Sequence, residues 1–531
     1  MEIAKNQNTV PTKQKKIRIY ILLFLIVALG LFLRAYHIET APPGIYPDEA
    51  VNGQDAVQAI ETGNYQWFYP ANQGREGLFM NLIALCFKLF GISILTLKLP
   101  TIIFGTLTIW GTYLLTKELF QRERIGLIAA FLYAVSFWAI NFSRISFRAN
   151  MLPFILVFSF YFLFKAVHTK KWLDFAIGGF IFGMGMHTYI AFRIAPLILV
   201  VLLFSFILSR KNFLKEYRQY ILIFTLFFIL AASPMIYTFY THPEFFESRS
   251  GSISIFSPDI NKGHLFQTFV KSFGLSLAKF NFWGDQNWRH SYPPYPVLDP
   301  LVGIAFLFGI IYSVVTLIHL FTIRIVDKAR NINMNIYILL LTWFFVMLVP
   351  EFMTAEGLPH ALRSIGTLPA VIILAAIAFE YFLEKAEKNP KLYKKVVTAC
   401  IIGMLLLIGI FNSVKYHYFW ANKEKVGLSF NKNLTDMTKY IKTLPEQKEK
   451  FVVTSYNTLE KAPIEIFTHP NNVSFVYPNE LSKINPKNVH NFMIFFTEQN
   501  TSAMKELQQR FPTLKLQEVD GALGSVYYIL K

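Results

Sequence analysis

The sequence predicts a polytopic α-helical membrane protein of about eleven spans, with a small extracytoplasmic α/β domain at its C-terminal end. Three observations predict it. Of 531 residues, 54% are hydrophobic and 16% charged, where soluble domains carry about a quarter charged, so the chain has more apolar surface than one soluble core hides. Apolar runs long enough to cross a bilayer recur up to residue 418. Beyond that point the composition turns to Lys, Glu and Asn with short apolar strings.

The first run follows Lys13, Lys15, Lys16 and Arg18 and reaches Leu33 before a polar exit at Arg34. Its small-x-small pair, Ala28 and Gly30, lies inside the run, so it reads as an uncleaved span rather than a signal peptide. Further runs lie near 94–116, 125–141, 149–167, 173–189, 191–209, 219–240, 299–322, 333–350, 364–383 and 395–418. The run 77–90 is shorter and holds Lys88. If it stays at the surface, one side collects the N-terminal lysines, Arg122 and Arg124, Lys170 and Lys171, the 210–218 cluster, Arg324, Lys328 and Arg330, and the 385–395 cluster. The positive-inside rule makes that side the cytoplasm, so residues 77–90 form a membrane-hugging helix on the outer face. The protein is then a multi-pass protein of the plasma (inner) membrane. Its outer side receives segments 37–93, 241–298 and 351–363.

The chain divides into a membrane domain, 1–418, and an outer α/β domain, 419–531. In the latter, helices are predicted at 429–443 and 501–511, and strands at 451–455, 473–477, 491–496 and 525–530. The net charge of +18 follows the loop bias, without a basic helix interleaved with aromatics, so nucleic acid is not a predicted partner. Cys86 and Cys400 both lie in apolar runs and form no disulfide framework or metal motif.

The middles of the spans carry very few ionisable residues, which places chemistry at the membrane surface rather than across it. The first outer segment holds Asp48-Glu49 after a Pro-Pro-Gly turn, candidates for a general base or a cation site; the motif alone favours a plain helix N-terminus, with Asp48 as cap and Glu49 on the dipole. Glu76, in Gln73-Gly74-Arg75-Glu76-Gly77, opens the surface helix. Arg144 and Arg148, four apart on an outer turn, oppose the topology bias and suit either a phosphate or snorkelling to lipid headgroups. His187, Tyr189 and Arg193 crowd another outer turn. Asp285, Asn287, Arg289 and His290 sit among aromatics, the mixture that stacks a sugar ring and bonds its hydroxyls. Glu351 and Glu356 precede His360 and Arg363, which are spaced to face one anion.

On these residues the chain resembles the GT-C membrane glycosyltransferases, in particular bacterial relatives of the dolichyl-phosphate-mannose protein mannosyltransferases, including the lipid A aminoarabinose transferases. The resemblance covers about residues 15–385. It rests on Asp48-Glu49, Arg75-Glu76, Lys98-Leu99-Pro100, Ser143-Arg144 with Arg148, Gly284-Asp285 with Arg289, and Pro359-His360 with Arg363. It implies an enzyme that moves a sugar, with inversion, from a polyprenyl-phosphate donor to a glycan, lipid or protein acceptor, among membrane lipids. Asp48, with Glu49 beside it, is implied as catalytic, either as the general base or as a ligand of a divalent cation that Glu76 shares. Arg75, Arg144, Arg148, Arg193, Arg289, His360 and Arg363 are implied for the donor phosphate. His187, Tyr189, Asp285, Asn287 and His290 are left for sugar or acceptor. The aminoarabinose transferases have a Lys after the loop glutamate where this chain has Gly77, so Arg75 stands in for that contact. The competing readings are a lipid-linked sugar transporter, which needs polar residues at the span centres, a non-catalytic scaffold, which tolerates loss of Asp48, and a transferase of the same fold that moves a whole oligosaccharide, which needs a larger groove.

Overall fold

The structure is a computed structural model and describes residues 13–72, 74–247, 254–327, 334–455, 458–470 and 473–531. Gln73, Lys328 and Arg330 lie outside the described residues. Among those described, 9 helices are long and apolar enough to span a membrane, or 10 if the bent pair Glu123–Val135 and Phe137–Ser143 is one span. The bend is 59°. The run 125–141 therefore breaks at Ser136, whose side chain accepts a hydrogen bond from the Ala139 amide and starts a second helix. The run 173–189 is a helix of 13 residues, Trp172–Met184, followed by a 3-10 turn, Gly185–His187. At about 20 Å it is shorter than a full crossing.

Glycine lets this short helix sit close to its neighbour Phe213–Thr241. A Cβ on Gly179 would lie 2.2 Å from the Phe224 carbonyl oxygen, and one on Gly183 would lie 2.4 Å from that of Phe228.

The first outer segment is built rather than loose. Helix Pro47–Thr62 is followed by two short antiparallel strands, β1 (Phe68–Tyr69) and β2 (Arg75–Glu76), and then helix Leu78–Phe90. The last buries Phe79, Met80, Ile83 and Ala84 and leaves Leu89 and Phe90 exposed, the two-sided apolar character of a surface helix. The segment 241–298 includes a further helix, Leu265–Asn281, which the loop reading of that stretch did not contain.

The C-terminal strands are β3 (Glu449–Val453), β4 (Val473–Val476), β5 (Phe492–Phe496), β6 (Leu516–Asp520) and β7 (Val526–Leu530), in sheet order β4-β3-β5-β7-β6. The first three are parallel; β7 and β6 join antiparallel. Helices Lys432–Thr443 and Thr501–Arg510 match the expected ones. Helix Thr458–Thr468, with Pro463 inside it, and the exposed edge strand β6 were not expected, since neither shows a clean apolar period. This sheet unit rests on helix Pro47–Thr62: Ala462 and Ile466 join the core of Ile45, Ala50 and Val51, and Gln54 donates to Glu465 at 2.5 Å.

Candidate active site

Helix Pro47–Thr62 begins with Pro in its first turn, which suits an N-terminus because that amide lacks an intrahelical partner. Glu49 closes the end, its Oε2 accepting from the Tyr46 amide at 3.0 Å. Its Oε1 accepts from the Ser146 amide at 2.7 Å and lies 3.7 Å from the Lys98 ammonium. Glu49 is fully buried, and burial pushes its carboxyl above the usual range while Lys98 opposes this. The placement of Glu49 as catalytic is therefore corrected: it caps and anchors the helix. Asp48, one residue earlier, points the other way. It is half-buried, and its Oδ1 accepts from the Asn72 side-chain Nδ2 at 2.8 Å.

Asp48 lines a cavity of about 820 Å³. Arg193, Arg289 and Arg363 also line it, with Tyr189, Asp285, Asn287 and His360. Apolar side chains, among them Ile190, Ile194, Val349 and Met353, line the remainder. Arg193 starts the span Ile190–Ser209, and Val349 ends Met334–Phe352, so the cavity opens where these helices stop.

Each guanidinium is held by neighbours. Arg193 donates to the Phe246 carbonyl at 2.7 Å and lies between the Phe239 and Phe246 rings. Arg289 lies 4.2 Å above the Tyr46 ring and donates to Asn287 Oδ1 at 2.9 Å. Arg363 donates to the Thr354 and Glu356 carbonyls at 3.1 and 2.6 Å.

A smaller recess beside the cavity shares Asp48, Phe147, Tyr189 and Leu362 with it and adds Asn72, Arg75 and Arg148. Arg75 is tied to Asp55 at 2.5 Å and to Asn52 Oδ1 at 2.7 Å. Burial raises the Asp55 carboxyl while Arg75 opposes it. Arg148 donates to Glu76 at 2.7 Å and lies over the Tyr189 ring. Glu76 also faces Arg193 at 3.8 Å, so one buried carboxylate orients two arginines.

Three expected site residues stay behind the walls. Arg144 is fully buried and spends its guanidinium on the carbonyls of Leu33, Tyr36 and Ala41. A buried cation needs these acceptors, and this one splices the exit of the first span to the third. His187 meets the Ala231 carbonyl at 2.9 Å and packs near Trp67. His290 sits behind Asp285, its Nδ1 3.1 Å from Asp285 Oδ2.

The suggested cation position between Asp48 and Glu76 does not fit. Glu76 is already neutralised by Arg148 and Arg193, and a dication there would face two guanidiniums. Among the described residues, the group of His, Cys, Asp and Glu side chains able to hold a metal is Asp285, His290 and His360.

Sequence reasoning missed Asn72, Tyr46 and the anchor beneath the cavity. There Lys279 and Glu351, both fully buried, pair with each other; Lys279 also meets Ser364, and Glu351 accepts from the His360 amide at 2.9 Å. Burial pushes the Lys279 ammonium below its usual value, and Glu351 opposes this. The signal was available only for Glu351, which stands at a span end. Gly284, just before Asp285, is required by packing: a Cβ there would lie 1.8 Å from the Tyr295 carbonyl oxygen. Gly284→Ala is expected to cost about 1–3 kcal/mol and to displace Asp285, read as a lower Tm by thermal unfolding.

This site, where Asp48 and three arginines line one partly apolar cavity at the ends of membrane helices, lies in a multi-pass helical fold that solved membrane proteins share. The model of the family described as dolichyl-phosphate-mannose-protein mannosyltransferase matches residues 78–237. The structure resembles ArnT from Cupriavidus metallidurans bound to undecaprenyl phosphate, at 12% identity and a TM-score of 0.52, over 98% of each chain. It also resembles the oligosaccharyltransferase AglB from Archaeoglobus fulgidus in complex with an inhibitory peptide and a dolichol-phosphate, at 16% identity and a TM-score of 0.52, over 97% of this chain and 74% of that one. No curated protein sequence matches the chain.

Proposed function

We propose that this protein is an inverting glycosyltransferase that moves a sugar from a polyprenyl-phosphate donor to an acceptor at the outer face of the membrane. One observation carries the reading: Asp48 shares a cavity with Arg193, Arg289 and Arg363, whose remaining wall is largely apolar. An isoprenoid tail suits the apolar wall, and the leaving phosphate needs the guanidiniums. The partial family match and the lipid phosphates bound by ArnT and AglB support the same donor class.

In this mechanism Asp48 removes the proton from the acceptor nucleophile as it attacks the anomeric carbon from the face opposite the phosphate. Asn72 fixes the Asp48 carboxylate through Oδ1 and leaves Oδ2 for that proton. The arginines neutralise the charge that develops on the departing phosphate. Glu76 orients Arg148 and Arg193, and Tyr189 supports Arg148 from below. Asp285 and Asn287 face the same cavity, within reach of a sugar. The division into a membrane part, 1–418, and an outer α/β part, 419–531, belongs to this reading, as does the assignment of the cavity to the extracytoplasmic side.

The test is sugar release from a panel of radiolabelled polyprenyl-phosphate sugars by purified protein in nanodiscs. Consumption of one donor above the protein-free background is expected. A folded protein that consumes none of them across acceptor classes would return the transporter or scaffold reading to the front.

A further inference from the structure

Beside the cavity lies a cluster of metal-ligating side chains, of which the reaction above gives a part to Asp285 alone. Asp285, His290 and His360 offer one ligand atom each, and these atoms all lie within 4.8 Å of one another. Asp285 and His290 come from the stretch after helix Leu265–Asn281, and His360 from the turn after the span Met334–Phe352. No local element brings these segments together, so the cluster is where two outer segments meet.

We propose that Asp285, His290 and His360 form a zinc site that clasps the two outer segments beside the cavity. Two imidazoles and one carboxylate are the set that zinc accepts from three protein side chains while keeping a fourth position open. The ligands are preset by their surroundings. Asp285 Oδ1 accepts from the Asn287 amide at 2.8 Å, and Oδ2 accepts from the Ala361 amide at 2.7 Å. The His360 backbone is fixed by Glu351, which Lys279 holds in turn. Such outer contacts orient metal ligands and strengthen their hold. The His290 and His360 ring centroids are 4.7 Å apart, and the buried Asp285 carboxylate supplies the negative charge that a dication between the three groups needs.

Asp285 and His360 both line the cavity, as do Arg289 and Arg363. The fourth position therefore faces the space where anions are gathered, and a phosphate oxygen or a water completes the coordination. That last step rests on the proposed donor; zinc binding itself does not.

The test uses full-length protein in nanodiscs, washed with chelator, and zinc ion alone as the probe. Bound zinc is measured by elemental mass spectrometry after equilibrium dialysis, and Tm is followed with and without zinc, all without donor. Wild type is expected to retain about one zinc per chain and to show a higher Tm with zinc. His290→Ala and the half-buried His360→Gln are expected to bind zinc at least about tenfold more weakly and to lose the Tm rise. Glu76→Gln is expected to keep the metal. Absence of stoichiometric zinc on folded wild type overturns the proposal and leaves Asp285–His290 as a hydrogen bond alone. Zinc lost in Glu76→Gln but kept in His360→Gln overturns it in favour of the Asp48 side. If His290→Ala fails to fold, His360→Gln decides. Because no donor is present, failure of the transferase reading leaves this result untouched.

Discussion

Asp48→Asn is expected to lower the rate of sugar transfer by about 10²–10⁴-fold, the usual contribution of a positioned general base. Asn keeps the volume and an oxygen that can still accept from the Asn72 side-chain Nδ2, so the helix start and the recess stay in place. What is lost is the oxygen that takes the acceptor proton. The fall should therefore appear in kcat, with donor binding retained, because the proposed mechanism gives the phosphate to the arginines and not to Asp48. Single-turnover transfer with radiolabelled donor, beside equilibrium donor binding, separates the two. If transfer persists within a few-fold of wild type, Asp48 is not the base. Glu49→Gln makes a useful contrast, because Glu49 lies behind the helix start. It should disturb stability through the Tyr46 and Ser146 amides and Lys98, so its signature is a lower Tm.

Lys279→Met is expected to destabilise the protein by about 3–5 kcal/mol, because it leaves the Glu351 carboxylate buried without its partner. The damage should reach the cavity, since Glu351 also accepts from the His360 amide. The double replacement Lys279→Met with Glu351→Met removes both charges and should recover most of the loss. The His360 amide, left without an acceptor, limits that recovery by about 1–3 kcal/mol. Thermal unfolding in nanodiscs reads both variants. A single variant as stable as wild type would show that the pair contributes nothing to the fold. A double variant less stable than the single would show that the charges themselves, rather than their pairing, are required.

The tail shows how far local pattern carries. Strands β3, β4, β5 and β7 were legible because apolar residues cluster between turn signals, and helices Lys432–Thr443 and Thr501–Arg510 were legible from their period. Helix Thr458–Thr468 was hidden by Pro463, and β6 by its exposed, polar edge position. In the site, Asp48 was picked out as one of two adjacent acids, Arg193 by its neighbours in a crowded turn, Arg289 by the aromatics around it, and His360 with Arg363 by their spacing. Arg144 was picked out because it opposes the topology bias, and it lies elsewhere, since the carbonyls of Leu33, Tyr36 and Ala41 satisfy an arginine as well as a phosphate does.

The sequence alone determined the class of architecture and the order of most spans, because crossing a bilayer demands only length and apolarity, both of which are local. It also showed which of the segments between apolar runs hold charge. Tertiary structure decided which of two adjacent acids faces the cavity. The local cap on the Tyr46 amide suits Glu49, but it is Ser146 and Lys98, distant in sequence, that draw Glu49 inward. It likewise decided that Lys279 meets Glu351 across 72 residues and that Asp285 and His290 meet His360. Burial and partnership between distant segments depend on how the helices pack, and that packing has no period in the chain to announce it.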